Sequence, residues 1–172
     1  AKEFVKKREQ DSENKEKEEK LREQEKEKRL EQRQIAKERI PIIAKSLLEC
    51  KQGTTTIDEI TIELAESGKA NFCYSDSNNY DDVFHIGLGE VLCKSDPKMV
   101  YCGLFEQGEK IRAIVYAGDE ISKEKSAGDI VKSISQILGG AGGGSAKFAQ
   151  GGGTDKSKKE DAIKNAKSMI IE

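Results

Sequence analysis

The segment Gly139-Gly140-Ala141-Gly142-Gly143-Gly144-Ser145-Ala146-Lys147-Phe148-Ala149-Gln150-Gly151-Gly152-Gly153 concentrates half of the sixteen glycines of this 172-residue chain. Two segments that read as helices flank it. Glycine at that density inside a domain implies repeated positive φ angles, or a backbone that something must approach closely. A Gly/Ser linker is also glycine-rich. It has no need, however, of Lys147, Phe148 and Gln150 between two glycine runs, nor of amphipathic helices on both sides. Three jobs stay open for the segment. It can be a tight structural crossing, a nest of N–H groups for phosphate or ribose oxygens, or a flat surface for an exposed base or base pair. Lys147 could meet a phosphate. Phe148 could stack on a base or anchor the loop, and Gln150 could bond a nucleotide or brace the backbone.

Working outward, Ser126 reads as the N-cap of a helix with Asp129 in its first turn. Ile130, Ile134, Ile137 and Leu138 form its buried face, and Gly139 stops it. On the other side Ser157-Lys-Lys-Glu160 has the spacing of a capping box. It opens a last helix with Ile163, Ala166 and Ile170 turned inward, and with Lys156, Lys158, Lys159, Lys164 and Lys167 around it. Upstream, Lys98 to Glu106 and Lys110 to Ala117 predict a hairpin across Gln107-Gly108-Glu109. Tyr80 to Lys94 predicts a helix, Ala70 to Tyr74 a short strand, and Thr54 to Leu64 a single β-branched strand. Alternating strands and helices in a segment of this size predict an α/β sandwich with a mixed sheet.

The first fifty residues are different. From Ala1 to Arg39 there is no glycine or proline, and acid-to-base pairs recur at i,i+4 (Glu13/Lys17, Glu16/Lys20, Glu18/Arg22, Glu25/Arg29). Each adds a few tenths of a kcal/mol, roughly, to a helix. Apolar residues enter late, as Leu21, Leu30, Ile35, Ile40, Ile43 and Leu47, without a heptad seam. Pro41 predicts a kink or break near Ile40, followed by a short docking helix that Gly53 ends. The expected division is a helical part over 1–52 and an α/β domain over 53–172. The first helix reads either as a solvated spacer or as a contact with a second copy.

Charge is uneven: 15 basic and 13 acidic groups through residue 50, 6 and 13 over 51–121, 9 and 6 over 122–172. The acidic balance excludes a sequence-independent nucleic-acid coat and leaves room for a local basic surface in the last third. Cys50, Cys73, Cys93 and Cys102 show no CxxC spacing and read as reduced thiols of a cytoplasmic protein. The chain opens on Ala1 in helix-like sequence, as a fragment of a longer protein does. With one histidine, His85, no zinc set can be assembled. His85 beside Phe84 reads as a partly buried, hydrogen-bonded residue, and no nucleophile–base pair presents itself. No Gly-Lys-Ser/Thr triplet opens a helix, and the glycines follow a helix rather than a strand, so neither a Walker loop nor a Rossmann fingerprint is present. These residues are expected to be non-catalytic, metal-free and unable to span a membrane.

The two glycine runs, Gly139-Gly140-Ala141-Gly142-Gly143-Gly144 and Ala149-Gln150-Gly151-Gly152-Gly153, resemble the signature of the C-terminal (DHHA1, or C-Ala) domain of alanyl-tRNA synthetases. The Ser145-Ala146-Lys147-Phe148 insert resembles the archaeal-type form. The resemblance implies a DHHA1-like α/β fold that binds the outer corner of tRNA-Ala, where the D and T loops meet. It also implies a homodimer, and a parent ligase whose other domains use ATP, Mg and zinc. Carried onto this chain, tRNA contacts are expected at Gly139, Gly140, Gly142, Gly143, Gly144, Ser145, Lys147, Phe148, Gln150, Gly151, Gly152, Lys156, Lys158 and Lys159. Dimer contacts are expected at Leu30, Ile35, Ile40, Ile43 and Leu47. The competing readings are a helical oligomerisation module with a purely structural glycine loop, or the DHHA1 domain of a phosphoesterase-like or free-standing editing protein. The phosphoesterase relatives carry an Asp-His-His motif, which is missing from these residues.

Overall fold

A computed structural model describes residues 2–50, 52–77 and 80–171, with side chains from Val5 onward. The chain forms two compact units, Ala1–Ile35 and Ala36–Glu172. The first is helical and, from Val5, exposed at every described residue. It belongs to helix α1 (Lys2–Glu49), which runs through Pro41 without a break and ends before Gly53. The expected break and separate docking helix are therefore corrected to one helical element. The physical reason lies just around the proline. Ala36, Ile40, Ile43, Ala44 and Leu47 are all buried in the second unit, and this packing outweighs the one backbone hydrogen bond that Pro41 cannot donate. The same burial moves the start of the compact α/β unit from the expected residue 53 back to Ala36.

The second unit is built on a seven-stranded sheet in the order β1-β2-β3-β4-β5-β7-β6. The strands are β1 (Gly53–Ile57), β2 (Ile60–Glu66), β3 (Asn71–Ser77), β4 (Met99–Gln107), β5 (Lys110–Ala117), β6 (Ala141–Gly144) and β7 (Phe148–Gly153). All pairs are antiparallel except β3 with β4. That parallel pair is joined by the crossover helix α2 (Asp82–Ser95), as parallel neighbours require. Helices α3 (Ala127–Ile137) and α4 (Lys159–Ile170) complete the unit. The predicted α/β architecture with a mixed sheet is what the chain adopts.

One face of the sheet packs against α2 and the Ala36–Leu47 stretch through Ile60, Ile62, Phe84, Leu88, Leu92 and Tyr101. The other packs against α3 and α4 through Val100, Leu104, Ile111, Val115, Ile130, Ile134 and Ile163. The predicted stripe Ile163, Ala166, Ile170 is buried, as are Ile130, Ile134 and Leu138, whereas Ile137 is only partly covered.

Three local readings change. The strand expected over Thr54 to Leu64 is a hairpin, turned at Asp58 and Glu59, both at positive φ (51° and 65°). Arg39 of α1 donates to Asp58 at 2.5 Å and holds that turn. Ser126 stands at the N-cap of α3 but its side chain makes no cap bond. The first amides of α3 donate instead to main-chain carbonyls of the glycine segment, Ala127 to Ala146 and Gly128 to Ser145. The capping box at Ser157 does not form. Asp155 accepts from the Ser157 amide across a short 3-10 turn, and α4 starts at Lys159 without a side-chain cap. Among the described residues no helix is long and apolar enough to cross a membrane, and no group of three or more potential metal ligands occurs.

Candidate nucleic-acid interface

The glycine segment is a β-hairpin, not a loop. Its runs form β6 and β7, joined by a two-residue turn at Ala146-Lys147, with Ser145 donating its amide to the Phe148 carbonyl at 2.8 Å. The Ser145 hydroxyl also exchanges hydrogen bonds with the Phe148 main chain. Glycine disfavours strands. These form because β7 pairs with β5 along its whole length and α3 covers one face of the hairpin.

Period-two alternation then assigns the glycines two different jobs. On the α3 side lie Gly142, Gly144, Ala149, Gly151 and Gly153. Ser135, fully buried on α3, reaches into this face and accepts from the Gly152 amide at 3.1 Å. A Cβ on Gly142 would stand 2.7 Å from the Ser135 hydroxyl, and one on Gly151 would collide with it. These glycines are structural, letting helix and hairpin touch. Gly151→Ala is accordingly expected to cost about 1–3 kcal/mol of stability by overpacking. Denaturant unfolding should show the loss, and adding Ser135→Ala should return part of it. A Gly151→Ala variant as stable as the parent would refute this close-contact account.

The other side is different. Register places Tyr116 beside Phe148, Ile114 beside Gln150 and Gly143, and Arg112 beside Gly152 and Ala141. Helix α2 packs on β4 and β5. Beyond them Gln150 and Ala141 are exposed, and Phe148, Gly143 and Gly152 half-exposed. A Cβ on Gly143 would meet only the tip of Lys132, at 3.9 Å. The outcome is a flat floor with almost no side chains. The Tyr116–Phe148 ring pair (centroids 5.1 Å apart) bounds one end, Gln150 stands in the middle, and Arg112 with Lys110 bounds the other end. A cleft of about 290 Å³ runs past Lys110 and Arg112 to Gly139, Gly140, Gly153 and Thr154.

The expected basic flank is largely spent on intramolecular pairs. Lys156 binds the Glu106 carboxylate at 3.4 Å and the Gly108 carbonyl at 3.0 Å. Lys159 pairs with Asp76, Lys158 lies 4.0 Å from Asp161, and Lys167 binds Glu63 at 2.6 Å. Lys147 pairs with Asp119 at 2.7 Å, which holds that carboxyl below the usual aspartate range. Sequence reasoning missed Lys110, Arg112 and Tyr116. Alternation in β5 puts them on one face, but only the pairing of β5 with β7 shows that this face borders the glycines. Of the expected dimer residues, Ile40, Ile43 and Leu47 are corrected to core positions of this chain, whereas Leu30 and Ile35 are exposed.

His85 is a core residue. It is fully buried, with Nδ1 2.7 Å from the Tyr101 hydroxyl and 3.2 Å from that of Ser75. Its Nε2 has no hydrogen-bond partner among the described residues. Burial lowers its pKa to about 3, so the ring is neutral near pH 7. Burial likewise pushes the thiols of Cys73, Cys93 and Cys102 up, away from reactive thiolate character.

This sheet edge, with its bare glycine floor, an aromatic pair and cations that are unpaired among the described residues, lies in a chain that belongs to the DHHA1 domain family, whose model matches residues 71–172. Over 169 residues it is 41% identical to the alanine–tRNA ligase of Nitrosopumilus maritimus, a match spanning 98% of this chain and 18% of that protein. The ligase of Cenarchaeum symbiosum is 41% identical over 92 residues, 54% of this chain and 10% of the relative. The crystal structure of the C-Ala domain of Aquifex aeolicus alanyl-tRNA synthetase superposes with a TM-score of 0.59 at 25% identity. That match takes in 64% of this chain and 99% of the C-Ala chain. The chain thus spans under a fifth of the length of these ligases.

Proposed function

We propose that this segment is a tRNA-docking domain of an alanine–tRNA ligase. Its open glycine face lies against the outer corner of the tRNA and supports aminoacylation and editing carried out by other domains of the protein. The observation that carries the reading is the floor of Gly143, Gly152 and Ala141 between the Tyr116–Phe148 pair and Arg112. Folded RNA hides its base edges in a deep major groove, so proteins recognise exposed bases, stacking surfaces and 2′-hydroxyls instead. A flat surface without side chains can approach an exposed base or base pair at that corner closely. Gln150 offers a donor and an acceptor to a base edge or ribose. The likeness to the C-Ala domain and to the two ligases supports the same reading.

Titration of intact tRNA-Ala against a minihelix that keeps the acceptor arm but lacks the D loop tests it. The intact molecule is expected to bind at least about tenfold tighter, as the loss of one stacked base pair implies. Equal affinities would remove the corner-docking reading. Pairing of two copies, implied by the family resemblance, is left with Leu30 and Ile35 as its apolar contacts, because the other three candidates are core residues. Sedimentation of the chain against a Leu30→Asp, Ile35→Asp variant tests this: a dimer that becomes monomeric supports it, and a dimer that persists refutes it.

A further inference from the structure

We infer that Lys110 and Arg112, in the cleft at the open end of the glycine hairpin, form a phosphate clamp for the RNA backbone. This replaces Lys156, Lys158 and Lys159 as the basic contribution to the interface, and it rests on the RNA reading above. The two cations lie two residues apart on β5, hence on one face, and that face is continuous with Gly152 and Ala141. Among the described residues neither makes an ion pair or a side-chain hydrogen bond. Lys156, by contrast, is held by Glu106 and Gly108 on the opposite side of the same β4–β5 hairpin.

Carboxylates near the cleft are few. Glu106 pairs with Ile111 in register and so faces away from Arg112, and Glu109 sits in the exposed turn next to Lys110. Asp155 is occupied by the Ser157 amide and hydroxyl. Gly139, Gly140, Gly152 and Gly153 also line the cleft, so a bulky, doubly esterified phosphate meets few side chains besides the two cations there. The arrangement also fits the stacking floor. A base pair lying on Gly143 and Gln150 has its sugar–phosphate at one rim, where Arg112 can place a planar fork of donors on phosphate oxygens.

Counterion release separates this clamp from a packing role. Affinity for tRNA-Ala would be measured over a series of KCl concentrations for the parent chain, Lys110→Ala, Arg112→Ala, Arg112→Lys and Lys156→Ala. Each of the two alanine changes at the clamp is expected to weaken binding about tenfold at low salt and to reduce the slope of log affinity against log salt by about one. Arg112→Lys should keep the parent slope, and so should Lys156→Ala. A parent that binds tRNA while Lys110→Ala and Arg112→Ala retain its slope overturns the clamp and leaves the face reading intact. The same slope change in Lys156→Ala would also overturn it, since the charge would then be diffuse. A parent that does not bind tRNA removes the underlying reading. Lys110 is exposed, so Lys110→Ala tests the clamp even if Arg112→Ala fails to fold.

Discussion

Gly143→Val is expected to leave the domain folded and to weaken tRNA binding about ten- to a hundredfold. The fold should survive because the new Cβ meets nothing closer than the flexible Lys132 side chain, at 3.9 Å, and stands over open space otherwise. Valine also suits an extended backbone better than glycine does, so stability should be unchanged or slightly raised. Binding should fall because a branched side chain now stands in the middle of the floor, beside Gln150. A stacked base is worth about 1–3 kcal/mol in such interfaces, and a base lifted off its support forfeits most of that. Gly142→Val, one residue away, has the opposite profile. Its side chain points at Ser135 and Gly151, and the domain should lose stability before binding can be asked about. A double replacement of both glycines would mix the two effects. Chemical unfolding and filter binding on the two single variants separate them. A Gly143→Val variant that binds tRNA like the parent would mean that the floor is not a contact surface.

Acidification should destabilise the domain through His85. In the unfolded chain this ring titrates near the ordinary histidine value of about 6.5, whereas in the fold burial lowers its pKa to about 3. The unfolded state therefore binds the extra proton between those values. Its contribution to stability is complete above about pH 6.5 and is lost as pH falls through the window toward 3. By pH 4.5 the loss amounts to about 2–3 kcal/mol, at about 1.4 kcal/mol per pH unit. Asp119, whose folded pKa is also lowered, loses its contribution only at lower pH, below the ordinary aspartate value. Urea unfolding at pH 7 and pH 4.5 should therefore show a larger drop for the parent than for His85→Gln, which cannot take up the proton. Parallel drops would refute the assignment. The ring, carried by α2, holds its place against the sheet by stacking on Phe105 (centroids 5.3 Å) and by its bond to Tyr101. The histidine is thus a structural group of the core, on the same face of the sheet as the open floor.

The parts of the fold legible in sequence are those fixed by local chemistry. The β4–β5 hairpin announces itself because Gly108, at φ 63°, supplies the turn conformation that glycine tolerates. The end of α3 is legible for the same reason at Gly139. The β1–β2 turn is not, since Asp58 and Glu59 take positive φ without a glycine, and Arg39, nineteen residues earlier, holds the turn. That is a tertiary contact overriding a local preference.

The site divides in the same way. The glycine runs mark the candidate interface, and the three jobs left open for them were not exclusive: alternation gives one face to structure and leaves the other open. What the pattern could not carry is pairing over distance. Lys156 finds Glu106 fifty residues back, and Lys167 finds Glu63 a hundred and four back. Local reading counts these lysines as a basic flank, although each already has a carboxylate partner within the chain. Ile40, Ile43 and Leu47 likewise show a helical apolar face, but not that the sheet of the same chain covers it.

The most direct measurement is the mapping of backbone amide shifts as unlabelled tRNA-Ala is added to the isotopically labelled chain. The expected perturbations centre on Ala141, Gly143, Phe148, Gln150, Gly152 and Arg112, and the edge strand at Thr54 to Thr56 stays unmoved. Perturbations confined to α4 and its lysines, with the glycine face silent, would contradict the account.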